Sequence, residues 1–187
     1  MDDISPWVRR WAPLIPSGEV LDLACGGGRH ARHLAALGHA VLALDRDPDA
    51  LARAAGPGIV TAEFDLEEAG AVWPYAAGRF AGIVVSNYLH RPLLPGIAGS
   101  LAPDGVLIYE TFGAGNAQFG KPANPAFLLA PGELLAWAAQ YGWRVVAFEE
   151  GRVAAPREAM VQRLCAVGAA FPPLAALLAP CQPCNEL

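Results

Sequence analysis

The stretch Val20-Leu21-Asp22-Leu23-Ala24-Cys25-Gly26-Gly27-Gly28-Arg29-His30 decides the fold. A short apolar run carrying one acid breaks into three consecutive glycines, which let backbone approach a ligand closely. A helical pattern follows (Ala31, Leu34, Ala35, Leu37), and then a second apolar run, Val41-Leu42-Ala43-Leu44, that ends on Asp45. Strand, glycine turn, helix, strand and terminal carboxylate in that order make a parallel α/β unit. It suits an adenosine-containing ligand, because the terminal acid can accept hydrogen bonds from both ribose hydroxyls.

Outward from this unit, hydrophobic periodicity predicts an alternating series of strands and helices. Ser5-Pro6-Trp7-Val8-Arg9-Arg10-Trp11 starts an amphipathic helix over about residues 5–17, with Ser5 as N-cap and Pro6 in the first helical position. Strands are expected at 19–24, 40–45 and 59–64, and the first two are continuous apolar runs of the kind buried parallel strands require. Helices are expected at about 29–37 and 48–55, the second opening on Asp47-Pro48 and closing before Gly56-Pro57-Gly58. A strand at 80–86, a helix at about 92–101 and a strand at 105–110 follow.

Residues 113–131 break the pattern with Gly113, Gly115, Asn116, Gly120, Pro122, Asn124, Pro125 and Pro131. A structureless loop of that length is usually functional or mobile. It starts beyond the carboxyl end of a central strand, so it is expected to form a lid over the substrate. A last helix runs from Pro131 to about Tyr141, presenting Leu134, Trp137, Ala138 and Tyr141 on one face and ending before Gly142. The strands at 143–150 and 159–167 are too close for a helical crossover and should pair antiparallel.

Length and composition agree with one ordered domain, expected over residues 1–170, followed by an apolar, proline-rich tail at 171–187. Hydrophobic residues make up 54% of the chain and charged residues 17%, which excludes a disordered protein. The net charge of -5, without a dense Lys/Arg run, makes nucleic acid an unfavoured partner. Met1-Asp2-Asp3-Ile4-Ser5 lacks the pattern of a signal peptide. The uncharged run from Leu164 to Asn185 has too many glycine and proline breaks for a membrane helix. The expectation is a cytoplasmic chain that binds no membrane. The sequence leaves its oligomeric state open. Cys181 and Cys184 form an isolated C-x-x-C, and the four histidines are scattered, so no metal site is expected.

The turn also satisfies G-x-G-x-x-A, with Asp45 nineteen residues beyond Gly26, so a small NAD(P)-dependent reductase is a rival reading. Three features weigh against it. Asp22 lies inside the first strand, where a buried acid is costly unless it is hydrogen-bonded. A second acid, in Phe64-Asp65-Leu66, closes the third strand and is placed to reach an adenine amine. The single small domain leaves little room for a separate hydride acceptor. Structural alternatives exist for each acid: Asp45 could cap the helix opening at Pro48, Asp65 could cap a turn through Glu67-Glu68, and Asp22 could be purely structural.

Asp22-Leu23-Ala24-Cys25-Gly26-Gly27-Gly28 resembles the D/E-x-A/G-C/x-G-x-G motif of class I S-adenosylmethionine-dependent methyltransferases. Asp45, Asp65-Leu66 and Ser86-Asn87-Tyr88-Leu89 match the acid and the strand-end motifs that follow in that family. The block from Tyr109-Glu110-Thr111-Phe112 to Pro131-Gly132-Glu133-Leu134 is similar to small bacterial tellurite-resistance-type methyltransferases. The resemblance implies a Rossmann-like three-layer αβα sandwich with a seven-stranded, mostly parallel sheet and an antiparallel final strand. It implies S-adenosylmethionine as cofactor and Asp22, Ala24, Cys25, Gly26, Gly28, Asp45, Arg46, Asp65, Leu66 and Asn87 as its binding residues. In that reading Gly26 and Gly28 admit the methionine portion, Asp22 orients its amino group, and Asp45 holds the ribose. Asp65 and Leu66 meet the adenine, and Asn87 lies under the sulfonium.

The expected activity is methyl transfer to a small-molecule acceptor; a non-catalytic scaffold retaining the cofactor pocket is the alternative. Transfer from a sulfonium relies on positioning and desolvation, and a base is needed only for a protonated nucleophile. Candidates at the strand edge are His90, Tyr88 and Tyr109, beside Glu110 and Thr111; Arg91 with Lys121 could form a cationic mouth. Asn87-Tyr88-Leu89 lacks the D/N-P-P-Y pattern that holds a flipped base, which lowers nucleic-acid amine methylation.

Overall fold

The computed structural model describes residues 4–68, 70–155 and 157–173. In chain order these form α1 (Pro6–Trp11), β1 (Glu19–Leu23), α2 (Arg29–Ala36), β2 (Ala40–Asp45), α3 (Pro48–Ala54), β3 (Ile59–Glu63) and β4 (Phe80–Ser86). Then come α4 (Leu94–Ser100), β5 (Leu101–Phe112), α5 (Glu133–Gln140), β6 (Arg144–Val153) and β7 (Ala159–Val167). The strands make one sheet in the order β3-β2-β1-β4-β5-β7-β6. The first five are parallel neighbours, and β7 runs antiparallel between β5 and β6. Strand order reverses between β1 and β4, and ligands of open α/β sheets bind outside the carboxyl ends of strands at such a point.

Each central strand feeds both faces because successive side chains alternate. Leu21, Leu23, Ile83, Val85, Leu107 and Tyr109 pack on the α4–α5 face with Ile97, Leu134 and Trp137. Val20, Val84, Val106 and Ile108 pack on the opposite face with Trp7, Trp11, Ala31, Leu34 and Leu51, from α1, α2 and α3. Alternation puts Asp22 on this second face, under α2. The N-terminal helix is fixed from three directions. Ser5 Oγ accepts from the Trp7 and Val8 N–H groups, Trp7 Nε1 donates to the Leu164 carbonyl at 3.2 Å, and the Ser5 N–H donates to His30 Nε2 at 3.3 Å.

Two elements differ from the sequence reading. The first helix ends as α-helix at Trp11 and continues only as a 3-10 turn over Ala12–Leu14, since Pro13 and Pro16 cannot donate to an α-helical ladder. Strand β5 begins at Leu101 rather than 105, through a register shift opposite Phe80 and Gly82.

Residues 113–131 are not structureless. They contain 3-10 turns at Asn116–Gln118 and Pro125–Phe127, and their ends close on each other through a bridge between Gly113 and Leu129. Asn116 is buried and uses both ends of its amide, donating to the Pro122 carbonyl and accepting from the Met160 N–H. Phe171, where a separate tail was expected to begin, is 4% exposed, and its carbonyl accepts from Arg144. The Cys181/Cys184 pair and the apolar run Leu174–Leu178 lie outside the described residues. No helix among the described residues is long and apolar enough to cross a membrane.

Candidate functional site at the β1–β4 crevice

The two central strands end in the same unusual way. Ala24, one residue past β1, has φ 54°, and Asn87, one residue past β4, has φ 57°. Left-handed backbone is uncommon outside glycine, and such strain collects at ligand sites. The glycine turn continues the distortion, with φ 53° at Gly26 and 75° at Gly28. The two glycines serve different ends. A Cβ on Gly28 would meet Ala54 Cβ at 2.5 Å, so this glycine lets α2 pack against α3. A Cβ on Gly26 would meet nothing within 4 Å, so this glycine opens space.

Asp22 is 1% exposed, and its Oδ2 accepts from the Ala31 N–H at 2.8 Å, tying the first turn of α2 to β1. Burial raises its pKa from 3.8 to about 7, against the lowering effect of the Ala31 N–H and Arg29. Cys25 is also buried. Burial, then the Asp22 and Asp45 carboxylates, push its thiol up to about 12, so it stays protonated at neutral pH and is no nucleophile.

Asp45 closes β2, and its Oδ2 accepts the Gly26 N–H at 2.7 Å while Oδ1 accepts the Asp47 N–H at 3.0 Å. Each oxygen of a carboxylate keeps a further lone pair. Asp47, not Asp45, caps α3, through Oδ1 to the Asp49 and Ala50 N–H groups. Beside Asp45 opens a cavity of about 260 Å³, with Ala24 and Leu66 in its wall and Asp65, Arg46 and Tyr88 around it. Asp65 Oδ1 accepts the Glu67 N–H at 2.9 Å, as a turn cap does, and its Oδ2 lies 3.7 Å from Arg46.

A second cavity, of about 860 Å³, opens on the other side of Asn87, over the ends of β5 and β7. A row of polar groups crosses the strand tips here. Arg29 donates to Ser86 Oγ at 3.3 Å, Ser86 Oγ donates to Glu110 Oε1 at 3.0 Å, and Glu110 Oε2 stands 3.3 Å from Arg163 Nε. Arg163 also reaches Glu149 at 3.2 Å. Arg9 and Arg157 line the same cavity, and Thr111, Phe112 and Val161 contribute to its wall.

The structure thus brings Ala24, Asp45, Arg46, Asp65, Leu66 and Tyr88 around one cavity and Asn87 onto the other, with Cys25, Gly26 and Gly28 between them in the chain. Tyr109 does not reach the crevice. It is 1% exposed, its hydroxyl donates to the Tyr88 carbonyl at 2.9 Å, and its ring meets Trp137 edge-on at 5.9 Å. Burial raises both tyrosine pKa values above the ordinary phenol, that of Tyr88 also through Glu67. His90 is half-buried and is not among the residues lining either cavity.

The expected cationic mouth is not formed. Arg91 is spent on Glu133 at 2.7 and 2.8 Å and on the Ala126 and Leu128 carbonyls at 2.8 Å each. Residues 113–131 line neither cavity, so they are an anchored loop rather than a lid. Arg9, Arg29, Arg157 and Arg163 were missed by the sequence reading. Arg163 carried a signal, as the sole charge in the apolar strand Ala159–Val167.

Residues 20–105 match a family model described as a methyltransferase domain. No curated protein matches the chain by sequence. TehB from Haemophilus influenzae superimposes with a TM-score of 0.73 at 19% identity, over 88% of this chain but 62% of that protein, so the chain spans less than two thirds of it. An S-adenosylmethionine-dependent methyltransferase from Mesorhizobium loti gives a TM-score of 0.65 at 20% identity, over 87% and 96% of the two chains. The Burkholderia thailandensis 1,6-didemethyltoxoflavin-N1-methyltransferase, solved with bound 1,6-didemethyltoxoflavin and S-adenosylhomocysteine, gives 0.62 at 22%, over 87% and 76%. Residues 20–105 thus match a methyltransferase domain, and the chain as a whole has the fold of the S-adenosylmethionine-dependent methyltransferases it superimposes on.

Proposed function

We propose that the protein transfers a methyl group from S-adenosylmethionine to a small-molecule acceptor, with the nucleoside of the cofactor in the smaller cavity and the acceptor in the larger. One observation carries this reading: the Asp45 carboxylate at the tip of β2 is bonded to the N–H of Gly26, the glycine over open space. That bond fixes a carboxylate at the edge of a cavity that offers apolar and aromatic walls (Leu66, Phe64, Tyr88) beside a second acid, Asp65, as a ribose and a purine require. When bound, the cofactor supplies a methyl group on a positively charged sulfur, which leaves readily as a neutral thioether.

This chain's residues bind and orient. Asp45 receives the ribose hydroxyls on its remaining lone pairs, Asp65 the adenine amine, and Leu66 with Tyr88 the ring faces. Gly26 leaves room for the methionine portion, Ala24 borders the smaller cavity and Asn87 the larger, and Asp22 holds α2 so that the turn keeps its form. Proton removal is not assigned to a side chain. Tyr109 is buried, Tyr88 walls the nucleoside cavity, His90 lines neither cavity, and the oxygens of Glu110 face Ser86 and Arg163. Positioning and exclusion of water therefore carry the catalysis. The chain's net charge of -5 disfavours long-range attraction to nucleic acid, and a cavity of about 860 Å³ suits a small acceptor.

Calorimetry with S-adenosylhomocysteine tests this. Binding is expected, and Asp45→Ala is expected to weaken it by about 1–3 kcal/mol through lost ribose hydrogen bonds. A protein that ignores S-adenosylhomocysteine but binds NADPH would overturn the proposal.

A further inference from the structure

The larger cavity is charged against the trend of the molecule. The chain is net negative at -5. Yet the described residues lining this cavity include four arginines, Arg9, Arg29, Arg157 and Arg163, and a single carboxylate, Glu110. The Arg163 side chain is 17% exposed and lies between Glu110 and Glu149. Arg157, in the turn between β6 and β7, stands over the Phe112 ring with 5.8 Å from guanidinium carbon to ring centre, and it donates to the Lys121 carbonyl at 3.1 Å. Phe112, Val153, Ala159 and Val161 give the same end of the cavity an apolar wall.

Guanidinium groups bind planar oxyanions with a matched fork of donors and stack on aromatic faces, and a partly dry cavity strengthens both effects. A volume of about 860 Å³ far exceeds what an inorganic oxyanion fills and lies within the range of small organic ligands. From this combination, and resting on the methyltransferase reading above, we infer that the acceptor is an organic anion of carboxylate type with an apolar body. Its anionic head is held by Arg157, and its body lies against Phe112 and Val161, while Arg163 stays paired with Glu110 and Glu149.

The test titrates a panel of aryl and aliphatic carboxylates, each beside its uncharged primary amide, into the protein saturated with S-adenosylhomocysteine. At least one acid is expected to bind ten-fold or more tightly than its amide. Arg157→Gln is expected to bring that pair within about three-fold while leaving S-adenosylhomocysteine affinity within two-fold. Arg157 is exposed, so loss of folding does not confuse the result, and unchanged thermal melting checks it. Equal binding of acids and amides, no binding by any acid, or an acid preference that survives Arg157→Gln would each overturn the inference while leaving the methyltransferase reading intact. Failure to bind S-adenosylhomocysteine in the first place would sink the parent reading, and this one with it.

Discussion

At the scale of single residues, the glycine turn separates two demands that the sequence writes identically. Gly28 is locked twice, by φ 75° and by Ala54 at 2.5 Å from any added Cβ, whereas Gly26 is locked only by φ 53°. Gly28→Ala should therefore cost more than 2 kcal/mol, since strain of about 1 kcal/mol adds to a forced separation of α2 from α3. Gly26→Ala should cost only about 1 kcal/mol of stability, yet weaken S-adenosylhomocysteine ten-fold or more by filling the space it opens. Thermal melting and calorimetry on the two variants check the contrast. Asp22 gives a second test, through pH. Its folded pKa of about 7 lies above the unfolded 3.8, so the folded state holds a proton that the unfolded chain has lost, and stability falls as pH rises from about 4 to 7. His30, lowered to about 3 by burial, acts oppositely over an overlapping window, so the difference between variant and parent is the quantity to read. Asp22→Asn keeps an oxygen for the Ala31 N–H without the buried charge. Its advantage over the parent should grow from pH 4 to 7 and then level off, at no more than about 4 kcal/mol by the usual 1.4 kcal/mol per pKa unit.

At the scale of elements, Arg91 shows how one side chain can fix a loop that periodicity leaves blank. Its guanidinium joins the 3-10 turn after β4 to Glu133 in the first turn of α5 and to two carbonyls of the loop between β5 and α5. Burial alone would raise the Glu133 pKa, but Arg91 and the Ala130 N–H outweigh it and hold it below the usual range. Arg91→Ala should cost about 1–3 kcal/mol, or several degrees of melting temperature for a chain of this length. The change should show first as faster hydrogen exchange in residues 124–130, with the central strands protected as before. The strands, the helices following them and their order were legible in the sequence because each repeats a simple hydrophobic period. The gathering of the glycine turn, Asp45 and Asp65 at one edge of the sheet was legible too, because each lies at or just past the carboxyl end of one of three successive parallel strands. The loop and the larger cavity were not legible for one physical reason. Asn116 with Met160, Glu110 with Arg163 and Arg91 with Glu133 are partners 42 to 53 residues apart whose pairing only the register of the antiparallel strands and the docking of α5 reveal.

At the scale of the whole molecule, the sheet divides the work at the β1–β4 reversal. On one side, β1, β2 and β3 bring Ala24, Asp45 and Asp65 to the smaller cavity; on the other, β5 and β7 bring Phe112, Val161 and Arg163 to the larger. Asn87 at the tip of β4 stands between them, its N–H donated to the Glu110 carbonyl at 2.9 Å. The halves share a continuous parallel ladder through β1 and β4, so neither cavity can open by separating them without breaking the central pairing. Ligand effects should then be confined to strand tips and loops on the occupied side. Hydrogen exchange with S-adenosylhomocysteine is expected to slow in segments 24–31, 45–47 and 64–67 and to leave the β6–β7 hairpin at its free rate. Addition of an acceptor should then slow residues 152–163 without further change around Asp45. A donor that protects the hairpin more than the glycine turn would place it in the wrong cavity, and the assignment of the two halves would have to be exchanged.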